Sequence, residues 1–176
     1  LDVTINGAGF FQVGVEDSLG SNGTAYTRAG HFTLNRDGEL VLASDQGRRL
    51  QPVISIPAEA ENISIGADGK VTYSLAGQSE PVEAGQLELA AFVNPAGLKQ
   101  VGENLYVETA ASGPPVTGIP GTESRGSLQS AFLESSNVDP TRELIELIRT
   151  QRAFEMNSQS IRAADETLRS VATLRR

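Results

Sequence analysis

From residue 139 to residue 176 the chain reads as one amphipathic helix whose apolar seam has no counterpart elsewhere in the sequence. Leu147, Phe154, Ile161 and Leu168 recur every seven residues. Thr150, Asn157, Ala164 and Val171 fall between them at alternating spacings of three and four. Large residues on one line beside small or polar ones on the next make a coiled-coil type of stripe. A helix of this length runs roughly 50 Å, too long to lie flat on a small domain. The rest of the chain is β-patterned and offers no second helix. The seam is therefore left to another chain, or to a segment outside this sequence. That constraint points to assembly ahead of catalysis.

The start of the helix is marked. Asp139 can cap the orphan amides and Pro140 suits the first helical position. Glu143 lies near the positive end of the helix dipole, and Arg169, Arg175 and Arg176 lie near the negative end. No Gly or Pro interrupts residues 141–176. Burial of four large side chains does not outweigh the entropy of ordering so long a backbone. The helix is thus expected to fray in isolation and to order on assembly, with its stripe unsatisfied and projecting from the β-domain.

Charge narrows the partners. Of 176 residues, 14 are Lys or Arg and 22 are Asp or Glu, for a net charge of −8. Residues 139–176 hold seven Arg and six acids, so the remainder carries about −9. Phosphate contacts need clustered Lys and Arg, so nucleic acid is not an expected partner. Without cysteine there is no disulfide framework and no thiolate metal site. No run reaches the ~18 apolar residues of a membrane-spanning helix. No signal peptide is recognised. The chain opens on Leu1-Asp2-Val3 instead of Met, and its N-terminus is expected to lie upstream.

Residues 1–110 read as a β-rich domain. Residues 1–15 form two short strands broken at Asn6-Gly7, and 16–24 form a polar loop. HFTLNRDGELVLA (31–43) and ISIGADGKVTYSL (63–75) each place Asp-Gly between alternating strands, as tight hairpin turns do. They are read as two hairpins, not as a repeat. Pro52 and Pro57 bracket an edge strand at 53–56. Further strands are expected at 86–93 and 104–109. Residues 111–138 are a Gly/Pro-rich excursion or linker with a return strand at 127–134, and 139–176 is the assembly helix. The fold class is mainly β: an antiparallel domain of hairpins followed by one long C-terminal helix.

Residues with chemical potential have plain readings. His31 is the only histidine and has no recognisable partner for metal binding or base catalysis. Gly7-Ala8-Gly9 lacks the third glycine of a dinucleotide fingerprint, and a strand follows where a helix is needed. Glu59 with Glu61, and Asp165 with Glu166, read as solvated carboxylates. Asn22-Gly23-Thr24 and Asn62-Ile63-Ser64 fit the glycosylation pattern, which is short and common. Neither a catalytic residue nor a cofactor or metal site is expected, and the chain is not read as an enzyme.

Longer motifs carry a resemblance. LDVTINGAGFF (1–11), YTRAGHFTLNRDGELV (26–41) and SNVDPTRELIELIRTQRAFEMNSQSIRAADETL (136–168) resemble the bacterial flagellar rod and hook axial proteins. GENLYVET (102–109), the Ser-Gly-Pro loop at 112–114 and QRAFEMNSQSI (151–161) look most like the distal-rod branch of that family. The resemblance covers essentially the whole chain. It departs from the pattern in lacking the family's N-terminal helix, which pairs with the C-terminal one in a coiled coil. It implies a structural subunit of the basal-body rod, polymerising helically with itself and transmitting torque across the periplasm. Implied partners are other rod proteins, the hook protein and the P and L bushing rings. Export would run through the flagellar type III apparatus. The alternatives are a hook or proximal-rod paralogue, or a non-flagellar β-domain binding module.

Overall fold

The computed structural model describes residues 1–16, 23–77, 80–123 and 125–174, with side chains described to residue 170. It is mainly antiparallel β, followed by one long helix. The chain divides into a β-unit, Leu1–Glu134, and a helical unit, Ser135–Arg176.

The β-unit is organised around β2 (Phe10–Gly14). One edge of β2 pairs along its length with β3 (Thr24–Thr27). Its other edge is shared by two strands. Phe10 and Phe11 face Ala90 and Leu89 of β10 (Leu89–Ala91), while Gln12 and Val13 face Gln51 and Leu50 of β6 (Leu50–Gln51). The sheet extends beyond β3 to β12 (Leu105–Val107) and β11 (Lys99–Gly102), and beyond β10 to β13 (Val116–Gly118). Three smaller sheets surround it: β4 (Phe32–Leu34) with β5 (Leu40–Leu42); β7 (Ala60–Ile65), β8 (Lys70–Leu75) and β9 (Val82–Gln86); and β1 (Val3–Asn6) with β14 (Ser127–Ser130).

Side-chain alternation gives the central sheet two packed faces. Phe11, Val13, Ala25, Leu89 and Leu105 point into the main core, with Val3, Phe32, Leu40, Leu50, Ile56, Val71, Leu87 and Leu128. Phe11 and Phe32 meet edge to face at 5.0 Å. The opposite face carries Tyr26, Ala90 and Phe92, with Phe10, Leu98 and Tyr106 packed against them. Tyr26 and Phe92 meet edge to face at 4.8 Å. Aromatics are only 5 % of the chain, yet they concentrate at these two layers, where ring contacts add to area burial.

The two Asp-Gly loops adopt the same turn, and it is not the one the dipeptide suggests. Only the glycines, Gly38 and Gly69, have positive φ, at 76° and 85°. The amide of Gly38 donates to the Asn35 carbonyl and that of Asn35 to Glu39; Gly69 donates to Gly66 and Gly66 to Lys70. This is a wider loop closed by a left-handed glycine. Each glycine carbonyl then accepts an amide from the core, Ile56 onto Gly38 at 2.7 Å and Leu87 onto Gly69 at 2.8 Å. A Cβ at either glycine would run into the carbonyl oxygen of the same Ile56 or Leu87.

Several expected elements differ. Residues 53–56 form no strand: Ser55 makes one bridge to Glu39, although Ile54 and Ile56 are buried. Pro52 and Pro57 supply no amides, so the ladder has nothing to extend into. The Gly/Pro-rich segment is not a free linker. It contributes β13, buries the Ser112 hydroxyl against Thr109, and buries Arg125, whose guanidinium meets the Glu123 carboxylate at 2.7 Å. Strand β14 stops at Ser130 instead of 134 because Ala131 turns the chain at φ 65° and donates its amide to the Asp2 carbonyl. Strands β3, β6, β9 and β11 have no counterpart among the expected strands; β6, β9 and β11 are too short or too weakly alternating to show, and they take their structure from β2, β8 and β12. The polar loop expected at 16–24 falls largely outside the described residues.

The GENL segment makes a two-residue hairpin between β11 and β12. Glu103 and Asn104 both have positive φ, at 53° and 58°. Asparagine tolerates this conformation, whereas glutamate is strained there. Tertiary partners hold it. The Glu103 carboxylate accepts from Nε and Nη2 of Arg48 at 3.3 and 3.2 Å, and the Asn104 carbonyl accepts the Thr27 hydroxyl at 2.9 Å. Arg48 is buried, so its charge depends on Glu103.

Three outcomes are expected in urea unfolding. Gly38→Ala and Gly69→Ala each destabilise the β-unit by about 2 kcal/mol or more, from lost positive-φ tolerance and the carbonyl clash. Glu103→Gly relieves backbone strain but strands Arg48, and destabilises by about 1–2 kcal/mol; adding Arg48→Met recovers most of that loss. Burial and the neighbouring Glu108 carboxylate push the Tyr26 hydroxyl up to about 12. An unfolded tyrosine loses its proton near pH ~10. Stability is therefore complete below that pH and declines as pH rises towards 12, because only the unfolded chain ionises. Tyr26→Phe removes that decline.

Candidate assembly interface

The helix α1 spans Pro140–Leu174. An Asp139 carboxylate oxygen accepts the Thr141 amide at 2.9 Å, and the Asp139 carbonyl accepts the Glu143 amide at 3.2 Å. Pro140 stands in the first turn, where a missing amide costs no hydrogen bond. Arg175 and Arg176 lie outside the described residues.

Leu147, Phe154, Ile161 and Leu168 are 63 % to 74 % exposed. Thr150, Asn157 and Ala164 are exposed beside them. Val171 lies in the helix, with its side chain outside the described residues. The Thr150 hydroxyl donates to the Glu146 carbonyl one turn back at 2.9 Å, so its polar group is satisfied within the helix. Beside the first turns runs an open groove of about 1030 Å³, whose apolar lining is Val138, Pro140, Leu144, Leu147 and Phe154.

Further large apolar side chains stand off the heptad line. Ile145, Ile148 and Met156 are exposed too. At 100° per residue Ile145 and Met156 stand roughly 160–180° round the axis from Leu147. Arg149 and Arg152 stand within roughly 20° of one or the other, so this side of the helix is mixed apolar and basic.

The other candidates gather no chemistry. His31 Nδ1 meets the Asp2 carboxylate at 2.5 Å, with both side chains well exposed. In the Gly7-Ala8-Gly9 turn it is carbonyls, those of Gly7 and Gly9, that face a guanidinium, that of Arg28. An anion cradle needs amides there instead. Glu59, Glu61, Asp165 and Glu166 are exposed. Asn62 is exposed at a bulge in β7, and Asn22 lies outside the described residues. Among the described residues no group of three or more His, Asp or Glu could hold a metal ion, and no helix is long and apolar enough to cross a membrane.

Two family models match the chain, one within the β-unit and one running from β14 through the helix. Residues 4–73 match the flagellar hook protein FlgE/F/G D1 domain, and residues 129–174 match the flagellar basal body rod FlgEFG protein C-terminal region. The chain is 45 % identical over 173 residues to the flagellar basal-body rod protein FlgG of Buchnera aphidicola (Schizaphis graminum), covering 98 % of this chain and 64 % of that protein. It is 40 % identical over 181 residues to the protein of the same name from Bacillus subtilis, covering 100 % and 66 %. Against the flagellar hook protein FlgE of Salmonella typhimurium it is 36 % identical over 119 residues, covering 68 % and 29 %. The chain thus spans a little under two thirds of the rod relatives it matches. On these matches and on the β-domain-plus-helix architecture, the chain belongs to the FlgE/F/G family of flagellar hook and basal-body rod proteins.

Proposed function

We propose that this protein is a structural subunit of the flagellar basal-body distal rod, polymerising helically into the shaft that carries torque from motor to hook. The observation that carries this reading is the helix. Its large apolar residues are exposed, and an exposed apolar stripe on a long helix is suited to burial against neighbours. Leu147, Thr150, Phe154, Asn157, Ile161, Ala164, Leu168 and Val171 form one contact line, with Asp139 and Pro140 setting where it begins. Ile145, Ile148 and Met156 are left for contacts off that line.

Pairing of β1 with β14 supports an intramolecular partner for this line. Val3 lies opposite Ser130, and the Asp2 carbonyl accepts the Ala131 amide at 2.8 Å. Residues preceding Leu1 would leave the β-unit beside the end of β14. The remaining contacts fall to copies of the subunit, to other rod proteins and to the hook protein. The acidic β-unit would face the P and L rings. The place of action is the basal body, with delivery by the flagellar type III apparatus.

The partial match to FlgE favours a second reading, a hook or proximal-rod paralogue. Complementation separates them, because a distal-rod gene restores swimming to a strain lacking its distal-rod subunit and not to one lacking its hook protein.

Phe154→Asp places a charge in a seam that is dry after assembly, at a cost of several kcal/mol. It is expected to abolish swimming and incorporation into rods while the β-unit melts at its usual temperature; normal swimming would show that the seam lies elsewhere. In hydrogen exchange on the monomer, amides of α1 are expected to exchange far faster than those of β2 and β3. Full protection of the helix in the monomer contradicts its ordering on assembly.

A further inference from the structure

Arg28 follows β3, and its guanidinium joins distant parts of the β-unit. Nε donates to both carboxylate oxygens of Glu134, at 2.9 and 2.7 Å. Nη1 donates to the carbonyls of Gly7 and Gly9 at 3.1 and 3.0 Å, and Nη2 to that of Ile5 at 3.1 Å. One planar group therefore holds the turn between β1 and β2 and also the last residue of the β-unit, 106 positions further on.

Glu134 stands beyond the end of β14. The chain turns at Ala131, whose amide is held by Asp2, and the next polar contact is Glu134 on Arg28. Between these two points Phe132 and Leu133 are exposed at 61 % and 54 %. Neither ladder pairing nor burial secures residues 132–134. The ion pair is their main tie to the fold, and the residue it holds is the one after which the helical unit begins.

We propose that Arg28 and Glu134 are a mooring, a positioning pair that fixes where the chain leaves the β-unit for the assembly helix. This inference rests on the rod reading. Force applied along the helix reaches the β-unit through residue 134. Without the pair the last hold before the helical unit is the end of β14, where the Ala131 amide meets the Asp2 carbonyl. With the pair the force is delivered through a charge-assisted contact to the β1–β2 turn, behind which Phe11 and Val13 are buried.

Glu134→Gln tests the mooring without dismantling the β-unit, because Arg28 keeps its bonds to Ile5, Gly7 and Gly9. Chymotrypsin cleavage after Phe132 is expected to quicken about tenfold as the segment opens locally, while the thermal midpoint of the β-unit stays put. In cells carrying the substitution, swimming is expected to be near normal in dilute medium and to fail under viscous load. Glu134→Asp, which keeps the charge, recovers part of both. Unchanged cleavage, or unchanged swimming under load, overturns the mooring. So does a midpoint that falls in step with the cleavage, which would reduce the pair to an ordinary stabiliser. If deleting the gene leaves swimming intact, the rod reading itself fails, and the mechanical role of the pair fails with it.

Discussion

The β-unit depends on the antiparallel pairing of its first strand with its last. Val3 to Asn6 lie against Ser127 to Ser130, and Val3, Ile5 and Leu128 are buried in the main core. Closing so long a loop costs entropy that grows only slowly with its length. The closure is met by burial on one side and by the carbonyls of Ile5, Gly7 and Gly9 gathered on Arg28 at the end of the pair. Everything between is strung from this seam: β2 follows directly, β3 and β10 pair with β2, and the outer hairpins pack against the resulting layers.

The helical unit obeys a different economy. Its cap and its carbonyl ladder are satisfied locally, but its large side chains are exposed and give up almost no surface to water exclusion. The β-unit buries a core of its own, whereas the helical unit leaves its large apolar side chains exposed, which is the surface the proposed rod assembly would use.

Legibility varied with how local each constraint is. The strands at 3–6, 10–14 and 32–42 show as short alternations around Asn-Gly and Asp-Gly, since both signals lie within a few residues. The helix shows as an uninterrupted periodic run behind Asp139-Pro140. Strands β9, β11 and β13 do not show, because their residues have no strand pattern of their own and are shaped by the edges they complete. The shape of the Asp-Gly loops was hidden for a related reason: the carbonyls of Gly38 and Gly69 are drawn to the amides of Ile56 and Leu87, far from the turn. Of the candidate interface, the heptad line was legible, and the exposed Ile145 and Met156 were not, as they fall outside its period.

Sequence alone determined the mainly β architecture, the position and cap of the long helix, and the presence of an apolar stripe that the β-domain had no matching helix to cover. All of these follow from periodicity and from residue types that act within one or two turns of chain. Only the tertiary structure decided that Arg28 and Glu134 meet, that Glu103 can hold a left-handed conformation above a buried Arg48, and that Val116–Gly118 of the Gly/Pro-rich segment joins the central sheet. Those contacts join residues far apart in the chain. Their partners are selected by what the folded sheet brings within hydrogen-bond reach, and no local pattern encodes that.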